Sequence, residues 1–238
     1  MHDLLEPRLK TSRKRLQAVN SDGVVAPPYL TYEQFLDWAD EDTLAEWIDG
    51  RVEMTSPAGN KHQDIPGFLE AVLRQFVEFK DLGVIRAGPF QMKNGNGREP
   101  EVLFLANEHL HRLKEVFLEG PADLVVEIVS PESRKRDLIT KLAEYQAAKI
   151  PEYWLINPLK SEFRLYHLDP HGKYQQQALD SEGKYHSQVL QGFWLRSTWF
   201  WQPRLPAVQT ALLQIGGQDY MRYFLDQARN EGMTPPDA

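Results

Sequence analysis

The chain has 238 residues, 42% hydrophobic and 26% charged, which fits one sizeable core with appended ends, and nothing in it points to two independent enzymes. Its complete lack of cysteine excludes disulfides, thiol nucleophiles and cysteine metal sites, so any metal must be held by oxygen or imidazole and a reducing, intracellular setting is expected. A formal net charge of -7 weighs against a protein that coats nucleic acid through bulk positive charge, leaving only the short basic runs Arg8 to Arg15 and Arg134-Lys135-Arg136 as local candidates.

Residues 1–28 end in GVVAPP, carry no sustained periodicity and read as a flexible N-terminal arm. They lack the apolar centre of a signal peptide, and no later segment approaches the roughly 20 apolar residues of a membrane span, so a cytoplasmic protein without membrane contact is expected. The folded body is expected over residues 29–190, with residues 191–238 forming an aromatic flap and helix packed on it.

The stretch TYEQFLDWADE reads as a short helix capped by Thr31. Asp49-Gly50, between Glu46-Trp47-Ile48 and Val52-Glu53-Met54, is a hairpin signal. After the loop PAGNKHQD, the residues Ile65, Phe68, Leu69, Val72, Leu73, Phe76 and Val77 repeat at three and four, giving the clearest helix of the chain, and Gly83 follows its end. Next come one strand from Val84 to Met92, a polar turn KNGNGREP, a strand EVLFLA and an amphipathic crossover NEHLHRLKEVFLEG.

The run ADLVVEIVS reads as a strand buried on both faces, yet it contains Glu127. A carboxylate there needs a cation, a metal or a proton, because taking its charge out of water costs several kcal/mol. The segment ESRKRDLITKLAEYQAAKI then forms a helix with Leu138, Leu142 and Tyr145 on one face, followed by strands EYWLIN and EFRLYHL and a hairpin in DPHGKYQQQALDSEGKYHS. The predicted architecture is α/β, a mixed sheet flanked by helices whose two central strands carry acids, with extra C-terminal strands and a helix.

If the strands bearing Glu101 and Glu127 are neighbours, the two acids face a shared point and can chelate a divalent cation, with hard oxygen ligands favouring Mg²⁺ or Mn²⁺ over zinc. A lysine commonly completes such a site. The position two residues after Glu127 is Val129, so Lys141, on the border of the next helix's buried face, is the best candidate; its alternative is a lysine with its stem along the core edge and its head in water. Asp123 rivals Glu101 as the second acid, being four residues from Glu127 on the same strand face, and its plainer role is a turn or cap. His62 reads as a cap or polar contact, Asp137 as a brace for the neighbouring arginines, and Arg134 to Arg136 as either a phosphate grip or an exposed helix start. Trp194, Trp199, Phe200 and Trp201 read as core or interface, with stacking on unpaired bases the rarer use.

Together and in order, the segments YLTYEQFLDW, AEWIDGRVEMTSP with His62-Gln63, EPEVLFL, GPADLVVEIVSPESRKRDLITKLAEYQAAKIPEYWLINP and QGFWLRSTWFWQPRLP resemble the Uma-two family of endonuclease-like proteins, common in cyanobacteria and other bacteria. This family is a branch of the PD-(D/E)XK nuclease superfamily. The resemblance implies a restriction-endonuclease-like core and Mg²⁺-dependent hydrolysis of DNA phosphodiesters by a metal-activated water. It also implies roles: Glu127 as the acid of the (D/E)XK element, Lys141 as its displaced lysine, and Glu46 as an accessory acid binding a second metal or holding water. Glu101 stands where the family usually has aspartate, and the extra methylene moves its carboxylate by roughly 1.5 Å, enough to impair turnover while leaving metal binding. The expected catalytic set is therefore Glu101, Glu127, Lys141 and Glu46, with the three acids as metal ligands. Two other classes stay open: a catalytically silent binding or assembly module that retains the fold, and a carboxylate-pair glycosidase, against which Lys141 and the resemblance count. A homodimer is expected, since two-strand cleavage commonly uses two sites and the tail is apolar enough for an interface.

Overall fold

The computed structural model describes residues 18–40, 42–54, 60–130 and 136–232, including their side chains except those of residues 60–62 and 136–137. The basic run Arg8 to Arg15, most of the N-terminal arm, Arg134 and Lys135, and the side chains of His62, Arg136 and Asp137 lie outside the described residues.

The chain opens with α1 (Tyr32–Trp38), whose N-terminus is closed by a reciprocal capping box between Thr31 and Gln34. Strands β1 (Ala45–Ile48) and β2 (Arg51–Met54) follow as the predicted hairpin, Asp49 and Gly50 both taking positive φ at the turn. Then comes α2 (Asn60–Lys80), with Leu69, Val72, Leu73, Phe76 and Val77 essentially inaccessible on its core face.

The expected single strand from Val84 to Met92 is in fact two. Gly88-Pro89 separates β3 (Gly83–Ala87) from β4 (Gln91–Asn94), and the two halves join different sheets. Proline has no N–H to continue a ladder, which suits a point where the chain changes sheets. KNGNGREP is likewise more than a turn: Asn94-Gly95-Asn96 closes a hairpin between β4 and β5 (Asn96–Arg98). The chain returns to the sheet of β3 with β6 (Val102–Ala106), so Glu99, Pro100 and Glu101 span the passage between sheets. The predicted amphipathic crossover is a short 3-10 turn, Asn107–Arg112, followed by the strand β7 (Phe117–Glu119).

The run around Glu127 is β8 (Leu124–Ile128), buried throughout. A wide π-helical turn, Arg136–Lys141, leads into α3 (Leu142–Ala147). Strands β9 (Glu152–Asn157) and β10 (Glu162–Leu168) form the predicted antiparallel pair. The hairpin expected just after them does not form: β11 (Tyr174–Gln176) pairs back on β10, and β12 (Lys184–His186) pairs forward with β13 (Trp194–Arg196). A 3-10 turn at Ser197–Trp201 and α4 (Val208–Asn230) complete the described chain.

A six-stranded mixed sheet, order β11-β10-β9-β8-β6-β3, is the centre, with β8 and β9 its parallel pair. One face, through Val102, Phe104, Leu124, Val126 and Trp154, packs against α2, α4 and the tail aromatics. Trp199 and Phe200 are buried there, their rings 6.3 and 5.9 Å from Phe68, as expected for core residues. The other face, through Leu103, Leu105, Val125, Val129 and Leu155, packs against Tyr145 of α3 and Met92 of β4. A five-stranded sheet, order β2-β1-β5-β4-β7, carries β4 and β1.

Candidate active site

Alternation along β8 sends Leu124, Val126 and Ile128 to the α2 face and leaves Val125, Glu127 and Val129 facing α3. Glu127 lies near the carboxyl end of the parallel pair β8–β9, the end where α/β sheets commonly place their sites. Its Oε1 accepts hydrogen bonds from Lys141 Nζ at 2.7 Å and from the Tyr145 hydroxyl at 2.6 Å. These donors are four residues apart and descend from the same helical face onto one oxygen. Lys141 is 3% exposed, so its head is not in water but held inside.

That ammonium also lies 3.3 Å from Glu46 Oε1. Glu46 Oε2 accepts from Arg98 Nη1 at 2.9 Å, and the backbone N–H of Glu99 donates to Oε1 at 3.3 Å. Arg98 in turn grips Glu144 with Nε and Nη2 at 2.8 and 2.7 Å, a bidentate contact. The result is one alternating row: Glu127, Lys141, Glu46, Arg98, Glu144. Its first four side chains are almost completely buried, whereas Glu144 is 29% exposed. Burial works against charge on Arg98, but Glu144 and Glu46 more than offset it and shift its pKa upward.

Glu101, half-buried, sits just before β6. The register pairing Val102 with Val126, continued by one residue, sets Glu101 opposite Glu127. Glu101 itself lies in the bend that leads into β6, next to the end of that ladder. Asp123 is on the same strand face as Glu127 but roughly 13 Å along the strand, and its carboxylate is used locally: Oδ2 accepts from the Ala106 N–H at 2.8 Å and Oδ1 meets His109 Nδ1 at 2.9 Å. Asp123 thus ties the start of β8 to the end of β6.

Four residues of the cluster, Arg98, Glu99, Glu144 and Tyr145, were absent from the predicted set. Arg98 and Glu99 belong to KNGNGREP, where the Asn-Gly hairpin signal was available and the consequence for Arg98 was not. Glu99 accepts from Gln91 Nε2 at 2.6 Å. Its pKa is pushed up to about 7, first by burial and further by Glu46, with the Gln91 hydrogen bond and Lys141 opposing. Tyr145 is driven well above its ordinary value by burial and by Glu127, so it remains a hydrogen-bond donor.

Among the described residues, no group of three or more His, Asp or Glu is arranged as a ready metal cage. The donor chemistry nonetheless fits a hard divalent cation: Glu46, Glu99 and Glu127 bring carboxylate oxygens into one buried cluster, and Mg²⁺ ordinarily takes one or two carboxylates, completing its shell with water and phosphate oxygens.

A family model described as "Putative restriction endonuclease" (Uma2) matches residues 32–198, well over half of the sequence. The chain belongs to the Uma2 family. This Uma2 chain is also similar to a solved structure from Anabaena variabilis, named a "putative nuclease belonging to DUF820", with a TM-score of 0.61 and 14% identity, over 72% of this chain and 97% of that one. At that identity the likeness shows the fold, which is consistent with the restriction-endonuclease-like core. No curated protein matches the sequence significantly. No helix among the described residues is long and apolar enough to cross a membrane.

Proposed function

We propose that this Uma2 protein is an endonuclease that hydrolyses DNA phosphodiesters with the help of Mg²⁺ or Mn²⁺. The observation that carries the reading is Lys141, an ammonium held in the interior between Glu127 and Glu46 at 2.7 and 3.3 Å, beside the strand pair that opposes Glu101 to Glu127. An interior lysine bridging two carboxylates is an expensive arrangement to maintain for stability alone, since a well-packed apolar set of similar volume commonly does as well or better.

In this reading Glu101 and Glu127 would hold the cation. When bound, it would lower the pKa of an attacking water and neutralise charge on the scissile phosphate. Lys141 would present its ammonium to the phosphate oxygens as negative charge develops, and its buried setting strengthens that contact. Glu46 meets Lys141 and Arg98; we assign it to positioning Lys141, with Arg98 bracing Glu46 from behind. Arg98 is itself clamped by Glu144, so the lysine is held through a chain of ion pairs reaching the protein surface.

Cleavage of supercoiled plasmid and of single-stranded DNA, with Mg²⁺ or Mn²⁺, tests the reading on wild type, Glu127→Ala, Lys141→Ala and Glu101→Asp. Metal-dependent nicking lost in both alanine variants supports it. Inert wild type alongside an active Glu101→Asp would mean that the longer side chain has disabled a nuclease site. The second reading, a silent binding or assembly module, is favoured by one feature: Lys141 already supplies Glu127 with a counter-charge. Calorimetric titration with Mn²⁺ separates the two, because a silent module shows neither metal binding nor its loss in Glu127→Gln.

A further inference from the structure

Tyr145 of α3 carries no charge, yet it belongs to the buried cluster: it is 2% exposed and its hydroxyl donates to Glu127 Oε1 at 2.6 Å. Lys141 reaches the same oxygen at 2.7 Å, so a charged and a neutral donor share one acceptor. The two differ in what they can hold. An ammonium at the end of a long, flexible stem is a compact charge without a preferred direction, and this one is divided between Glu127 and Glu46. A phenol hydroxyl sits at the end of a rigid ring, and few torsions are needed to place it.

The ring itself is fixed from behind, by residues that take no part in the ion pairs. Tyr145 meets Tyr153 of β9 edge to face, with centroids 5.2 Å apart, and Tyr153 stacks on Tyr166 of β10 at 5.9 Å. Tyr174 of β11 closes the group, 6.1 Å from Tyr153 and 5.7 Å from Tyr166. It also ties these strands back to α3 and the turn after it, since its N–H donates to Gln146 Oε1 at 2.9 Å and its hydroxyl to the Ile150 carbonyl at 3.0 Å. The end point of the Tyr145 side chain is thus set by three neighbouring strands, and the hydroxyl arrives at Glu127 already oriented.

We propose that Tyr145 is a positioning residue of this site: its hydroxyl fixes the Glu127 carboxylate for a divalent cation, so that Lys141 can serve the phosphate while Glu127 stays in place. The inference rests on the metal-dependent nuclease reading. As the Lys141 ammonium turns toward phosphate oxygens its hold on Glu127 Oε1 weakens, and Tyr145 keeps a donor on that oxygen. Carboxylates that ligate metals are ordinarily oriented by such outer hydrogen bonds, whose loss costs about 10–100-fold in metal affinity or activity.

Tyr145→Phe removes the hydroxyl and keeps the ring, and is compared with wild type by calorimetric titration with Mn²⁺ and by steady-state nicking of plasmid. The expected result is a Mn²⁺ dissociation constant raised about tenfold or more and kcat lowered about 10–100-fold, with KM for DNA within about twofold and the circular dichroism spectrum unchanged. Tyr220→Phe, which takes a buried hydroxyl from the other side of the central sheet, should leave all of these values unchanged. A Tyr145→Phe chain that binds Mn²⁺ and cuts like wild type overturns the proposal and leaves the nuclease reading standing. A variant whose only change is a lower urea midpoint, or which loses its fold, makes the hydroxyl a structural brace and overturns the proposal as well; so does a raised KM with kcat intact, which places Tyr145 against DNA. Where wild type binds Mn²⁺ without cutting, the dissociation constants alone decide in the same way. A wild type that neither binds the ion nor cuts removes the nuclease reading, and the proposal falls with it.

Discussion

Two glutamates lie inside the central sheet, on adjacent strands and opposite faces, and the sheet accommodates them in opposite ways. Glu152 opens β9 on the α2 face and is completely buried. Its Oε1 accepts from Trp154 Nε1 and the Tyr185 hydroxyl, and its Oε2 accepts from the Ser187 hydroxyl and the N–H groups of Gln188 and Val189. Every one of these donors is neutral. They dissipate the carboxylate's charge over five hydrogen bonds and pin the segment 187–189 onto the core, while His167 stands 3.9 Å away, its pKa lowered by burial with Glu152 opposing. Glu127, on β8, meets a full opposing charge in Lys141 and has Glu101 across the register. A ring of neutral donors makes a brace; an ammonium shared between two carboxylates makes a charged interior, the one we propose as the site.

The sharpest way to break that comparison is Lys141→Met. It leaves the carboxylates of Glu127 and Glu46 without the ammonium between them and should destabilise the fold by about 3–5 kcal/mol, read from the shift of the urea midpoint. If the loss is below about 1 kcal/mol, Lys141 is not the counter-charge its geometry implies.

Next comes the reciprocal pair of amide substitutions. In Glu152→Gln an NH₂ group must face donors that need an acceptor, so stability should fall by about 3 kcal/mol while the cleavage rate of the folded fraction stays at the wild-type level. In Glu127→Gln the order reverses: Lys141 keeps Glu46, the amide oxygen still accepts from Tyr145, and stability changes little, while cleavage falls by at least about 100-fold. Urea titration and plasmid nicking on the same preparations check both. Equal behaviour of the two variants would erase the distinction between brace and site.

A smaller effect concerns pH. The Glu99 carboxyl, raised from 4.5 to about 7 mainly by burial, keeps its proton in the folded chain where the unfolded chain has lost it. The fold therefore gains most from Glu99 below its ordinary value and loses that gain as pH rises through the window from 4.5 to about 7, by no more than about 3 kcal/mol. Glu99→Gln should flatten this part of the stability–pH curve, measured by denaturant midpoints at about pH 5 and about pH 8. An unchanged slope would place the titration elsewhere.

The smallest expected change is in Glu101→Asp. Shortening the side chain by one methylene should alter the metal-dependent nicking rate by about tenfold, with the direction revealing which length the site is built for. No change in rate would remove Glu101 from the reacting centre.

Much of the sheet was legible because its signals are local. Alternation and continuity in LVVEI, the helical period from Ile65 to Val77, the Asp49-Gly50 turn and the Thr31 cap each act over a few residues, and each element appears where the pattern predicts. The failures occur where the partner strand is not the next one in sequence. Val84 to Met92 reads as one strand because both halves are apolar, yet β3 and β4 enter different sheets, and β11 and β12 turn away from each other for the same reason. The site divides along this line. Glu127 was conspicuous because a carboxylate in an apolar run demands an explanation. Glu152 makes the same demand and was passed over, since at the edge of EYWLIN it looks like a strand end exposed to water. Arg98 and Glu99 were hidden because a polar turn hides charge well, and only the hairpin β4–β5 carries them inward to Glu46.

By itself the sequence determined most of the elements, the mixed sheet flanked by helices, the family and the two acids to look at, because those depend on short-range periodicity and on motifs read in order. Only the tertiary structure decided what surrounds those acids. It turned Lys141 inward, joined it to Glu46 from a second sheet and anchored that glutamate with Arg98, contacts spanning 14 to 95 residues of chain. No local pattern encodes such pairings, since a buried charge finds its counter-charge through the path of the whole backbone rather than through the residues beside it.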